Sequence, residues 1–266
     1  MRTRRSPFAI PVLLGSLAFA LPLWLIASSA AGQDPMATIE RVKGSIVAVG
    51  TVERSRTPPF EFRGTGFVVG DGTFVVTNAH VLPGVLDSTR LEVLGILIPS
   101  PDPAKVAFRE AKQVAVDPGS DLAILKISGA PLPALVVRNS DGVKEGQPVM
   151  FTGFPIGTAI GLFPATHRGM ISAITPIAIP KSRSAELDPK TIRRLTSGAF
   201  PIFQLDATAY PGNSGSPVFD PATGDVLGII NMVFVKGTKE SALSQPSGIT
   251  YAVPSKYLQD LLQKAR

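Results

Sequence analysis

The chain of 266 residues contains no cysteine, one tryptophan, three tyrosines and two histidines. Without cysteine no disulfide can staple the fold. Two histidines and no thiols leave no clustered ligand set of the kind zinc requires, so neither a metal nor a cofactor is expected. Charge of one sign is also scarce. The formal net charge is +6, and three of those positive charges are Arg2, Arg4 and Arg5 at the amino terminus, so the remainder carries about +3, too small an excess to argue for nucleic acid. No internal repeat and no low-complexity tract interrupts the sequence.

What is present begins with a targeting pattern. Arg2, Arg4 and Arg5 form a basic region, Phe8 to Ile26 an apolar stretch, and Ser28-Ser29-Ala30-Ala31 a small-residue cleavage region. Residues 1–31 therefore read as a signal peptide. The apolar stretch exceeds the usual h-region and approaches the roughly 20 residues that span a bilayer, so an uncleaved N-terminal anchor is the alternative. Thr3-Arg4-Arg5-Ser6-Pro7-Phe8 resembles a twin-arginine signal only loosely.

The remaining body, 36–266, is a series of short β-branched runs cut by Gly and Pro. They are Ser45 to Val49, Gly66 to Val69, Phe74 to Thr77, Leu91 to Ile98, Gln113 to Val116, Leu122 to Ile127, Pro148 to Thr152, Gly169 to Ile174, Ile202 to Leu205, Pro217 to Phe219, Val226 to Phe234 and Ile249 to Val253. Such spacing argues an all-β sandwich or barrel. Pro131 and Pro133 mark a break at 128–135, which divides the body into halves at about 36–128 and 135–254. A helix is expected over 255–265, with Ser255 as its cap and Leu258, Leu261 and Leu262 on one face. A shorter helix is expected over Met36 to Val42.

Three segments carry chemistry: Thr77-Asn78-Ala79-His80-Val81, Asp121-Leu122-Ala123-Ile124-Leu125, and Pro211-Gly212-Asn213-Ser214-Gly215-Ser216-Pro217. A serine hydroxyl attacks a carbonyl only when an imidazole takes its proton and a carboxylate fixes that imidazole's tautomer. His80, Asp121 and Ser214 supply those groups. Their order, His then Asp then Ser, is that of chymotrypsin, whereas α/β-hydrolases and subtilisins run differently, so the order selects a double β-barrel. His167 is the competing base. Pairing it with Asp121 and Ser214 would give the subtilisin order without the parallel βαβ pattern that fold needs, so it reads as a strand or loop residue.

These segments, extended to Asp121 to Ile127 and Asp206 to Pro217 and joined by Tyr251-Ala252-Val253-Pro254-Ser255, resemble trypsin-like serine peptidases of the HtrA/Deg type over roughly residues 36–265. The resemblance implies two six-stranded antiparallel β-barrels and an oxyanion hole built from the backbone N–H groups of Gly212 and Ser214. It also implies a primary pocket near Thr208, Ile230, Asn231, Met232, Ile249 and Thr250. A preference for Lys or Arg would need an acid where Thr208 stands, so cleavage after small or aliphatic residues is expected. Ser216 departs from the family's second glycine, and with the sequence stopping at Arg266 the PDZ domain many members carry is not expected here. Loops at 179–194 and 235–246 fall near the family's activation loops.

The expected function is an exported serine endopeptidase of the bacterial cell envelope, periplasmic or secreted, acting on unfolded or exposed polypeptide segments. The lack of cysteine fits that compartment better than the disulfide-rich animal trypsins do. A chaperone-like binder with the same fold, or an esterase using the same residues, is the alternative. Polypeptide substrates are the expected partners, the membrane only through an uncleaved amino-terminal segment, and a homo-oligomer is left open.

Overall fold

The computed structural model describes residues 34–100, 102, 105–157, 161–176, 200–231 and 248–265. The expected leader, both candidate activation loops, Met232 and the last residues of the run ending at Phe234 lie outside them.

Each expected apolar run becomes a strand. The first six are β1 (Ile46–Val52), β2 (Phe60–Val69), β3 (Phe74–Asn78), β4 (Val93–Ile98), β5 (Ala107–Asp117) and β6 (Leu122–Ile127), and they close a barrel in the order β1-β2-β3-β6-β5-β4. The next six are β7 (Pro148–Gly153), β8 (Ala165–Pro176), β9 (Pro201–Asp206), β10 (Pro217–Phe219), β11 (Val226–Ile230) and β12 (Ile249–Pro254). They close a second barrel in the order β10-β11-β12-β9-β8-β7. Every pairing between these strands is antiparallel. Closure removes the exposed sheet edges that would otherwise recruit other chains.

The alternation of side chains explains why several runs are apolar throughout. In β1, Val47 and Val49 point into the first barrel with Val68, Val75, Ile96 and Leu125, while Ile46 and Ala48 point the other way. That other face meets Phe67, Leu122, Phe154, Phe219, Ile229 and Val253 in a shared layer that draws on strands of both barrels. A strand buried on both faces must be apolar at every position, whereas β5 is largely exposed and keeps Arg109, Glu110, Lys112 and Gln113. Partial solvation also explains why β2 and β5 run longer than their apolar cores suggested. The second barrel closes over Val149, Phe151, Ile171, Phe203, Leu205, Leu227 and Ile230.

The link between barrels is itself tied to both. Leu135 bridges to Val69 and Val137 to Val226. Helix α1 (Pro35–Lys43) starts at Asp34, whose carboxylate accepts from Met36 N at 2.9 Å, with proline at the first helical position. Helix α2 (Ser255–Lys264) buries Leu258 and Leu261 in the shared layer, with Leu262 packed against it. Ser255 does not cap it. Its hydroxyl donates to Arg138 O, and the cap comes from Ser140, whose Oγ accepts from Lys256 N at 3.1 Å. The cap is thus supplied by the link between barrels, more than 100 residues away in sequence.

Candidate active site

The pairing of β3 with β6 sets Asn78 opposite Leu122, which brings the residues just after Asn78 alongside Asp121. There the chain makes a 3-10 turn, Ala79–Val81. Asp121 adopts φ +57°, a left-handed conformation that aspartate tolerates better than most residues. In that conformation its carbonyl accepts from Ala79 N at 3.1 Å and from Asn78 Nδ2 at 3.0 Å.

The carboxylate of Asp121 is buried and fully engaged. Oδ1 accepts from His80 N at 2.9 Å, and Oδ2 lies 2.6 Å from His80 Nδ1. A carboxylate oxygen accepts, so Nδ1 is the donor in this contact. Oδ2 takes a further donor, Asn231 Nδ2 at 2.8 Å, which reaches it from the end of β11 in the second barrel. The His80 ring is partly open, its side chain 32% exposed against 5% for Asp121.

Ser214 lies in the turn between β9 and β10 and is nearly buried. Two glycines shape that turn. Gly212 has φ +103°, and a Cβ there would sit 2.2 Å from Phe154 O; Gly215 has φ +88°, and a Cβ there would sit 2.0 Å from Thr65 O. Only glycine combines those backbone angles with that approach. Because a trans peptide sends C=O and N–H in opposite directions, pinning a carbonyl aims the next amide. Pro211 O accepts from Ile156 N at 2.7 Å, and Asn213 O accepts from Ser216 N at 3.0 Å. The amides so aimed are those of Gly212 and Ser214, and among the described residues neither donates to any acceptor.

Ile156 holds its part of this arrangement at φ +62°, a conformation costly for a β-branched side chain. Ser216 leaves the turn intact, with its amide on Asn213 and its carbonyl accepting from Ile230 N at 2.9 Å. Its hydroxyl and the Asn213 side chain are enclosed without hydrogen-bond partners among the described residues. Gly153 makes room for that hydroxyl, since a Cβ there would lie 1.9 Å from Ser216 Oγ.

His167 is elsewhere in this barrel. It lies on β8 opposite Phe151, its ring stacked on Phe151 with centroids 4.8 Å apart and Tyr210 at 6.3 Å. Burial holds its pKa below the usual imidazole value and encloses Nε2 without a partner among the described residues. Among the described residues nothing links it to Asp121 or Ser214.

The expected pocket residues divide. Thr250 is buried and braces the segment after β9: its hydroxyl donates to Ala207 O at 2.7 Å and accepts from Ala209 N at 3.0 Å. Thr208 lies half-buried in that braced segment, and Ile249 is 44% exposed at the start of β12. Ile230 and Asn231 depart from expectation. Ile230 is fully buried in the second-barrel core and contributes only its backbone, whose carbonyl accepts from Gly215 N at 3.0 Å. The side-chain amide of Asn231 donates to Asp121 Oδ2. A cavity of about 450 Å³ borders Pro211 and Gly212 and is lined by Phe60, Phe62, Arg63 and Ile156.

Two six-stranded antiparallel barrels, with a His–Asp pair at the edge of one and a glycine-framed serine turn on the other, define a chymotrypsin-like double barrel. Residues 64–229 match the model of the trypsin-like peptidase domain. The chain belongs to that family. It is 29% identical over 203 residues to a probable periplasmic serine endoprotease, DegP-like, of Pseudomonas savastanoi pv. phaseolicola, a match covering 76% of this chain and 34% of the relative. It is 30% identical over 191 residues to a protein of the same description from Ectopseudomonas mendocina, covering 72% and 32%. The chain thus spans about one third of the length of these relatives. Among solved structures it resembles the HtrA-type protease AlgW with tripeptide, with a TM-score of 0.61 and 26% identity over 86% of this chain and 62% of that one.

Proposed function

We propose that this chain is a serine endopeptidase of the bacterial periplasm or envelope that cleaves unfolded or exposed polypeptide segments through an acyl-enzyme. The observation that carries the reading is the pair of unengaged amides, Gly212 N–H and Ser214 N–H, beside a serine in a molecule whose His80 is held to Asp121 at 2.6 Å. An oxyanion needs such donors in place before charge develops.

In this mechanism His80 Nε2 takes the proton of Ser214 Oγ as that oxygen attacks the scissile carbonyl. The resulting oxyanion faces the two amides, and the imidazolium is stabilised by Asp121. Collapse of the intermediate passes the proton from Nε2 to the leaving amine, and water then repeats the sequence on the acyl-enzyme. The hydrogen bonds of the His80 ring and amide both go to Asp121 among the described residues, and a bond from Nε2 to a nucleophile tightens as substrate binds.

Thr208 and the Thr250-braced segment offer small neutral groups to the side chain before the cut, so the preference is for small or aliphatic residues. The cavity beside Gly212 receives the chain beyond the cut, where Phe60 and Phe62 offer apolar surface.

The test is incubation with an unfolded, disulfide-free protein and a fluorophosphonate probe, with adduct and cut sites located by mass spectrometry. A label on Ser214 with cuts after small or aliphatic residues is expected. A label elsewhere, or cleavage that survives Ser214→Ala, overturns the assignment.

A further inference from the structure

The geometry points to Thr65, on β2 of the first barrel, as a positioning residue for the oxyanion turn of the second, an inference that rests on the endopeptidase reading above. Of the three consecutive peptide planes in the turn, the outer two are aimed by Ile156 N and Ser216 N. The middle one, Gly212–Asn213, is pinned at both ends: its carbonyl accepts from Thr65 Oγ1 at 2.7 Å and its amide donates to Tyr210 O at 3.0 Å.

Thr65 holds the turn at a second point, because its own N–H donates to Ser214 O at 2.9 Å. Its hydroxyl also accepts from Phe154 N at 3.1 Å, at the start of the loop that carries Ile156. One fully buried side chain thus joins the serine turn to the loop that aims it. Thr65 is in turn fixed by Thr77 Oγ1, which donates to Thr65 O at 2.8 Å on the strand leading to His80.

A β-branched residue in this strand could be valine, as at Val68 and Val69, if filling space were its only task. The hydroxyl is instead spent entirely on the other barrel, on residues 147 and 89 positions away. A buried hydroxyl is retained where its bonds matter, since each unmet partner carries a desolvation cost. The bond acts on the transition state in particular. If the middle plane turns, the two planes beside it turn with it, and the amides of Gly212 and Ser214 leave their common aim.

Thr65→Val keeps the shape and removes the hydroxyl. The expected result is a loss in kcat of about 10- to 100-fold, below the full effect of deleting an oxyanion donor, with KM within about twofold of the parent. Affinity for a peptide boronate, which forms a tetrahedral adduct on Ser214, should fall in parallel, while affinity for the non-covalent product peptide is retained. Thr65→Ser restores the parent values. Thr65→Cys, with only a weak S–H donor in the same volume, falls between and serves if the valine variant does not fold. A folded variant lacking the hydroxyl whose kcat and boronate affinity stay within about twofold of the parent would overturn the inference, as would equal weakening of boronate and product peptide. If the parent itself neither takes the fluorophosphonate nor cuts, the endopeptidase reading falls and this inference falls with it.

Discussion

Gly212→Ala tests the oxyanion turn most sharply, because the added methyl has nowhere to go. At the present backbone angles its Cβ would stand 2.2 Å from Phe154 O and 3.1 Å from both Gly157 N and Phe62 Cε1. The first contact is with backbone and cannot be relieved by a rotamer change. The positive φ adds roughly 1–2 kcal/mol for any residue with a Cβ. The cheapest escape is rotation of the Pro211–Gly212 peptide, which breaks the 2.7 Å bond from Ile156 N and turns the amide of residue 212 away from the reacting carbonyl. Loss of one oxyanion donor raises the reaction barrier by about 2.7–4 kcal/mol, or about 10²- to 10³-fold in kcat. KM should change little, since the ground-state carbonyl depends less on that donor. The assay is steady-state cleavage of a peptide substrate with thermal melting alongside. A folded Gly212→Ala protein with kcat within about fivefold of the parent would refute the reasoning.

Removing the Asn231 amide as Asn231→Leu deletes a donor to an ionised carboxylate, a bond worth about 1.5–3 kcal/mol, so kcat/KM should fall about 10- to 100-fold, and parental kinetics would refute the role given to it. His167→Phe tests the buried imidazole on β8. Its pKa is lowered on folding, so the unfolded chain takes up the proton first as pH falls below the ordinary value of about 6.5, and the native state loses stability through that window. The phenylalanine variant cannot titrate, so its melting temperature relative to the parent should rise steadily from pH 7 towards pH 5; parallel curves would refute the assignment. Leu258→Ala empties a fully buried site between α2 and the barrels and should cost about 2–5 kcal/mol, read as a fall in melting temperature, while a change below about 1 kcal/mol would mean the helix is peripheral.

The strands were legible because most of them pack on two faces, so a short apolar β-branched run bounded by Gly or Pro is a sufficient signal. Their partly solvated extensions, Phe60 to Arg63 and Ala107 to Glu110, were not, because Arg and Glu there interrupt the continuous apolar run. His80 and Asp121 were legible as a pair, which the structure joins at 2.6 Å, and Ser214 stood out through its glycine frame. The supports of these groups were not. Thr65 sits in Gly64-Thr65-Gly66 with no local mark of its task, and the cap of α2 comes from Ser140 rather than Ser255.

Asn231 could be found in sequence but not understood there, since its partner Asp121 lies 110 residues earlier in the other barrel. The common reason is that these contacts cross between barrels, and a crossing contact leaves no periodicity. The same crossings account for the architecture of the site. His80 and Asp121 belong to the first barrel and Ser214 to the second, yet the carboxylate is braced by the second through Asn231 and the serine turn by the first through Thr65. Each barrel therefore orients groups that the other supplies, and a shift of one against the other would disturb the proposed base and the proposed oxyanion donors together.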